Sequence, residues 1–193
     1  MHMPSPDQNI IKKRPTIIEC LRKIVPPDNF GENIIADKSG LRAYECDGLS
    51  AYRQLPMVVV LPKTTEQVSA ILKYCDDFGI KVVARGAGTS LSGGALPLAD
   101  AVVLGLGKFN RILNIDYANR AVVTQPGVTN LSISEAVSDA DFYYAPDPSS
   151  QVVCSIGGNV AENSGGVHCL KYGLTTNNSV SYTHLTLPTN REV

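Results

Sequence analysis

A chain of 193 residues, 44% of them hydrophobic, is long enough for one medium domain with a core of its own. Its formal net charge of −1 excludes a global basic field for nucleic acid, and no apolar run approaches the roughly 20 residues of a membrane-spanning helix. The five cysteines, an odd number with no C-x-x-C pair, argue against a disulfide framework or a zinc site and for reduced thiols.

Residues 1–15 are polar and proline-spotted, without the apolar stretch of a secretory signal. They read as a loosely packed leader on a cytoplasmic protein, with Lys12, Lys13 and Arg14 a solvated charge run. Ile17, Ile18, Leu21, Ile24 and Val25 follow at helical spacing, and Pro26-Pro27 ends that helix. Residues 28–55 show no sustained period and read as an irregular connecting segment, so 1–55 is set apart as leader, helix and connection.

Regular structure begins at Met57–Leu61, a β-branched run between two prolines that predicts a buried strand. Thr64 with Gln67 is a capping-box signature. Val68, Ile71, Leu72 and Cys75 then share one helix face up to Gly79, which gives Cys75 a packing role. Ile80–Ala84 is a second strand, and the spacing predicts a compact βαβ unit with the two strands adjacent and parallel. Short strands are expected at 101–106, 111–115 and 121–125, and a brief helix at 130–137 with Asn130 as cap. From Phe142 onward Pro, Ser, Gly and Asn dominate. One βαβ unit followed by closely spaced strands is an α+β pattern.

Arg85 to Gly94 (RGAGTSLSGG) directly follows the second strand, and its glycines let backbone N–H groups approach an anion while Thr89 and Ser90 add hydroxyl donors. It departs from a Rossmann fingerprint at Leu91, where glycine is required, and from a Walker loop at Gly94, where lysine is required. Alone, the segment fits a tight glycine-rich turn as well as a diphosphate cradle. Arg85 has two readings: neutralising the diphosphate, which is favoured, or pairing with a surface carboxylate. A second cluster runs from Pro146 through two Gly-Gly pairs to Gly173, and Gln125-Pro126-Gly127-Val128 offers a third wall. Three such clusters without a metal signature point to a large dinucleotide-type cofactor.

The segments YECDGLSAYRQLP (44–56), RGAGTSLSGGALPL (85–98), QPGV (125–128) and APDPSSQVVCSIGGNVAENSGGVHCLKYGLT (145–175) resemble the FAD-binding domain of vanillyl-alcohol-oxidase-type flavoproteins. More closely, they resemble the FAD-binding subunits of bacterial glycolate oxidases and D-lactate dehydrogenases. The resemblance implies a two-subdomain α+β fold, a small βαβ subdomain plus a largely antiparallel one, with FAD lying between them. It assigns Arg85, Gly86, Ala87, Gly88, Thr89 and Ser90 to the pyrophosphate and Pro126 and Gly127 to the cofactor channel. Pro148, Ser149, Gly157, Gly158 and Asn159, with Asn163 and Gly165 as weaker candidates, fall along the pyrophosphate and flavin. Thr89 stands where flavin-tethering relatives carry a histidine, which implies non-covalent FAD. Cys154 is read as a buried, unmodified cysteine rather than a thioether to the flavin.

The implied function is oxidation of a small 2-hydroxy acid, glycolate or D-lactate, by hydride transfer to flavin. Electrons would pass to companion subunits, which would also place the protein peripherally at the inner membrane. A flavin-binding module or assembly subunit without catalysis is the alternative, and a nicotinamide-using flavin reductase on the same fold is a third reading. The family's substrate-binding cap is expected beyond residue 178, so the FAD domain (56–178) is read as incomplete, 179–193 as a non-family tail, and the catalytic groups as lying elsewhere. His2, His168 and His184 are the imidazoles present, and His168 reads as a structural residue or cofactor neighbour. Lys171 and Tyr172 are read as anchors of their motif, and Asp147, beside two prolines, as a turn former.

Overall fold

The structure is a computed structural model that describes residues 3–29 and 31–180; His2, His184 and most of the 179–193 tail lie outside the described residues. Asp7 accepts a hydrogen bond from the Asn9 N–H at 2.8 Å and starts α1 (Gln8–Lys12), which leads into α2 (Arg14–Ile24). Pro15 sits in the first turn of α2, where a missing N–H is harmless. The reading of residues 1–15 as a loosely packed leader is corrected here. Ile10 is buried, the Asp7 N–H donates to the Asp100 carboxylate at 2.8 Å, and Arg14 donates to the carbonyls of Met57, at 2.9 Å, and Ala36. A polar composition hid partners that lie far along the chain. As expected, α2 buries Ile17, Ile18 and Leu21.

The connecting segment also carries structure that its mixed polarity did not show. Ile34–Ile35 form β1, and α3 (Lys38–Leu41), capped by the Asp37 carboxylate on the Gly40 N–H at 2.9 Å, continues into a 3-10 turn over Arg42–Tyr44.

Three consecutive valines make β2 (Val58–Val60), buried on both faces. Helix α4 (Thr65–Asp77) starts at Thr64, whose hydroxyl accepts from the Gln67 N–H at 3.3 Å, while the Gln67 side chain returns a bond to the Lys63 N–H. It turns Val68, Ile71 and Cys75 inward and is followed by β3 (Lys81–Arg85). The expected adjacency of these two strands is corrected: β4 (Ala101–Gly105) lies between them, parallel to both, in the order β1-β2-β4-β3. The reason is visible in the burial. All five residues of β4 are buried, which suits a central strand, whereas β3 exposes Lys81 and Ala84 and suits an edge. Alternation along the strands then builds two cores. Val58, Val60, Val102 and Leu104 pack with α1, α2 and α4, and Val59 and Val103 pack on the other face with Leu41.

Beyond this layer, β5 (Ile112–Asp116) and β6 (Ala121–Thr124) form an antiparallel ribbon with an irregularity between Ile112 and Asn114. Helix α5 (Asn130–Val137) is capped by Thr129, not by Asn130 as expected. The Thr129 hydroxyl accepts from the Ser132 N–H at 3.3 Å, while Asn130 is fully buried and donates to the Pro146 carbonyl at 2.8 Å. Helix α6 (Ile156–Glu162) forms where two glycines in its first turn concealed it, capped by Ser155 and ended by Asn163 in the left-handed region at φ 52°. A last short turn of helix, α7 (Cys169–Tyr172), follows.

Candidate cofactor-binding site

Arg85 closes β3, and the chain then turns through Gly88 and Gly93 at φ 73° and 77°. The loop lies along α6. A Cβ added at Gly86 would stand 2.2 Å from the Ser155 hydroxyl at the start of that helix, and one at Gly94 would be 3.9 Å from Glu162 at its end. On its other side the loop meets residues 46–49, where a Cβ at Gly48 would come within 2.7 Å of the Thr89 and Ser90 carbonyl oxygens. The Arg85 guanidinium is almost fully buried. It donates to the Cys46 carbonyl at 2.8 Å, lies 5.4 Å from the Tyr44 ring centroid, and sits where a Gly88 side chain would be. Its positive charge is therefore fixed against the loop by two groups from the segment read as irregular.

The Gln125–Val128 turn is the second wall. The Pro126 carbonyl accepts from the Gly157 N–H and the Val128 carbonyl from the Ile156 N–H, each at 2.8 Å. The Gly127 N–H reaches back to the Phe109 carbonyl at 2.7 Å, and a Cβ there would fall 2.5 Å from the Leu106 carbonyl oxygen. Two glycine-rich segments thus meet on the first turn of α6, Gly86 against Ser155 and Pro126 against Gly157. Gly158 donates to the Ser155 hydroxyl at 3.4 Å, and Asn159 is buried one residue on.

The remaining predicted residues sit farther along the same strip of chain. Pro148 is buried and its carbonyl accepts from the Gln151 N–H at 2.8 Å, while Ser149 is exposed beside it. Asn163 accepts from the Thr176 N–H at 3.0 Å and hydroxyl at 2.9 Å, and a Cβ at Gly165 would meet Leu174 at 2.3 Å. These contacts of Asn163 and Gly165 fold residues 163–178 onto themselves. Asp147 does more than form a turn: its carboxylate accepts from the His168 N–H at 3.2 Å and meets the His168 ring nitrogen Nδ1 at 2.7 Å. Burial pushes this carboxyl up, but the His168 bonds outweigh it and hold Asp147 below the usual carboxylate value.

The arrangement fits an extended, anionic dinucleotide. Gly86 and Gly157 let the loop and the 125–128 turn close directly on α6, where a Cβ would strike Ser155 or Pro126, and beside that junction the buried Asn159 amide nitrogen Nδ2 has no hydrogen-bond partner in the protein, so it is a donor left for a ligand. Asp47, also buried, likewise leaves its Oδ2 unpaired. Among the described residues, no group of three His, Cys, Asp or Glu side chains is placed to hold a metal ion. Cys75 and Cys154 are buried, and burial pushes the Cys75 thiol up to about 11. Both Ser155 and the 44–48 segment lie inside stretches that carry the family resemblance, but neither was named as a site residue. A serine three residues before Gly158 was the signal for the first, and the contacts of 44–48 with Arg85 and the loop come from residues 39 or more positions away.

The family described as the FAD binding domain matches residues 56–191. The glycolate oxidase subunit GlcD of Escherichia coli K12 is 56% identical over 165 residues, 86% of this chain and 32% of that protein. The glycolate oxidase subunit GlcD of Bacillus subtilis 168 is 39% identical over 157 residues, 81% of this chain and 33% of that protein. The chain thus spans about a third of the length of these curated relatives. A solved structure of alkyldihydroxyacetonephosphate synthase shares the fold with a TM-score of 0.72 at 21% identity, over 90% of this chain and 33% of that one.

Proposed function

The chain belongs to the FAD-binding domain family, and from that premise we propose that it is the cofactor-holding part of an oxidoreductase acting on a small 2-hydroxy acid, glycolate or D-lactate. The observation that carries this reading is the meeting of Gly86 with Ser155 and of Pro126 with Gly157 on the first turn of α6. The backbone of the loop, exposed at Gly86 and Ala87 and half-buried from Gly88 to Ser90, and the Thr89 and Ser90 hydroxyls offer donors to a diphosphate, and Arg85 supplies the compensating charge from behind the loop. Pro126, Gly127, Gly157, Gly158 and Asn159 form the adjoining wall, with Pro148, Ser149, Asn163 and Gly165 continuing it. FAD bound there supplies the two-electron chemistry that takes a hydride from the hydroxyl-bearing carbon. The protein's own part is to bind and orient, and Thr89 offers no ring nitrogen for a covalent tether, so the flavin is held non-covalently.

The E. coli and B. subtilis relatives are named as subunits, which supports companion subunits as electron acceptors for this chain too. In this reading the assembly is cytoplasmic and attached to the inner membrane through those partners. The test is the visible spectrum of the purified chain after incubation with FAD and desalting. A retained flavin band near about 450 nm that acid denaturation releases is the expected result. A folded chain that retains no flavin overturns the site, and glycolate turnover by this chain alone overturns the assignment of catalysis to groups outside it.

A further inference from the structure

We propose that Asp147 and His168 are positioning residues: a carboxylate–imidazole clamp that holds residues 163–178 on the Pro146–Ser149 turn and so sets the far end of the cofactor wall. The proposal rests on the FAD reading of that wall and adds a role that neither the glycine pattern nor the family match assigns.

Both oxygens of Asp147 are used by one residue 21 positions away. Oδ1 takes the His168 backbone N–H at 3.2 Å, and Oδ2 meets ring Nδ1 at 2.7 Å. The approach depends on Gly166, where a Cβ would lie 1.9 Å from the Asp147 carbonyl oxygen. Each partner segment is separately braced. The turn is tied to α5 by Asn130 on the Pro146 carbonyl and by the Leu131 N–H on the Gln151 carbonyl. The 163–178 segment is closed on itself by Asn163 with Thr176 and by Thr175 with the Ser164 carbonyl. Two internally braced pieces that carry Pro148 and Ser149 on one side and Asn163 and Gly165 on the other are joined at Asp147–His168.

A carboxylate bonded to both the backbone and the ring of one residue fixes that ring's orientation, as a second-shell carboxylate does for a ligand histidine. The groups facing the imidazole are Asp147 and the rings of Tyr143 and Tyr172 at 6.2 and 6.4 Å, and the nearest ammonium, Lys171, lies over the Tyr172 ring. The clamp is a full ion pair while the imidazole holds its proton and a weaker hydrogen bond once it is neutral. The imidazole is half exposed, so an arginine has room to take its place with a permanent charge.

The experiment measures FAD affinity by flavin fluorescence between pH 5.5 and 8.5 for wild type, Asp147→Asn and His168→Arg, with amide exchange of residues 164–176 followed in the absence of FAD. The wild type should bind FAD several-fold more weakly at the alkaline end, where a neutral imidazole leaves only a hydrogen bond to Asp147. Asp147→Asn should bind about tenfold more weakly throughout and exchange faster over 164–176. His168→Arg should retain wild-type affinity and flatten the pH profile, which a merely structural loss would not do. Unchanged affinity in Asp147→Asn, or a His168→Arg profile that titrates like the wild type, overturns the proposal. A wild type that binds no FAD at any pH refutes the cofactor reading instead. The exchange rates then decide the clamp by themselves: faster exchange in Asp147→Asn supports it and unchanged exchange overturns it.

Discussion

Gly157 donates its N–H to the Pro126 carbonyl at 2.8 Å, and a Cβ at 157 would stand 2.6 Å from the Pro126 Cβ and 3.0 Å from that oxygen. The contact seats the 125–128 turn on the first turn of α6, so the separation of these two walls is set by the absence of one methyl group.

Gly157→Ala should therefore act on binding more than its size suggests. The added carbon meets backbone and a rigid ring, neither of which can swing aside, so a destabilisation of about 1–3 kcal/mol is expected. A lower urea midpoint together with a drop in FAD affinity of about tenfold or more would be the signature. Unchanged binding would place the cofactor away from this turn.

At Gly86 the obstacle is a side chain, which makes a cleaner test. Gly86→Ala places a carbon 2.2 Å from the Ser155 hydroxyl, and Ser155→Ala alone removes the α6 cap at a cost of about 1 kcal/mol. The double variant should be more stable than the two single losses predict, because the second substitution removes the atom the first one strikes. A double-mutant cycle in urea would show a coupling of about 1 kcal/mol, and strict additivity would mean that loop and helix part in solution.

Asp100 gives the pH dependence. Burial pushes its carboxyl up, but the Asp7 N–H and the Lys81 ammonium, each at 2.8 Å, hold it below the usual carboxylate value. A folded-state pKa below the unfolded one adds stability above about pH 4, and that stability is lost as pH falls through the folded value. Asp100→Asn should be about 1–2 kcal/mol less stable at pH 7 and should lose less than the wild type between pH 5 and pH 2.5. Urea midpoints at three pH values would check both the size and the sign.

Much of this was legible along the chain because the relevant physics is local. Val58–Val60 announced a buried strand, Val68, Ile71 and Cys75 a helix face, and the glycines at 86, 88, 157 and 158 a backbone that must stay bare. What stayed hidden was set by partners distant in sequence. That β4 enters between β2 and β3 follows from which strand can be buried on both faces, a comparison no single segment contains. Helix α6 was concealed because Gly157 and Gly158 lower helix propensity, and its cap and the burial of Asn159 override that.

The sequence by itself determined the three parallel strands of the first sheet and the identity of the glycine-rich segments, because hydrophobic period and backbone freedom are properties of neighbouring residues. Only the tertiary structure decided that Ser155 faces Gly86, that Cys46 and Tyr44 hold Arg85, and that Asp147 grips His168. Each of these is a contact of a few ångströms between residues 21 to 69 positions apart, which no local pattern of neighbouring residues can encode.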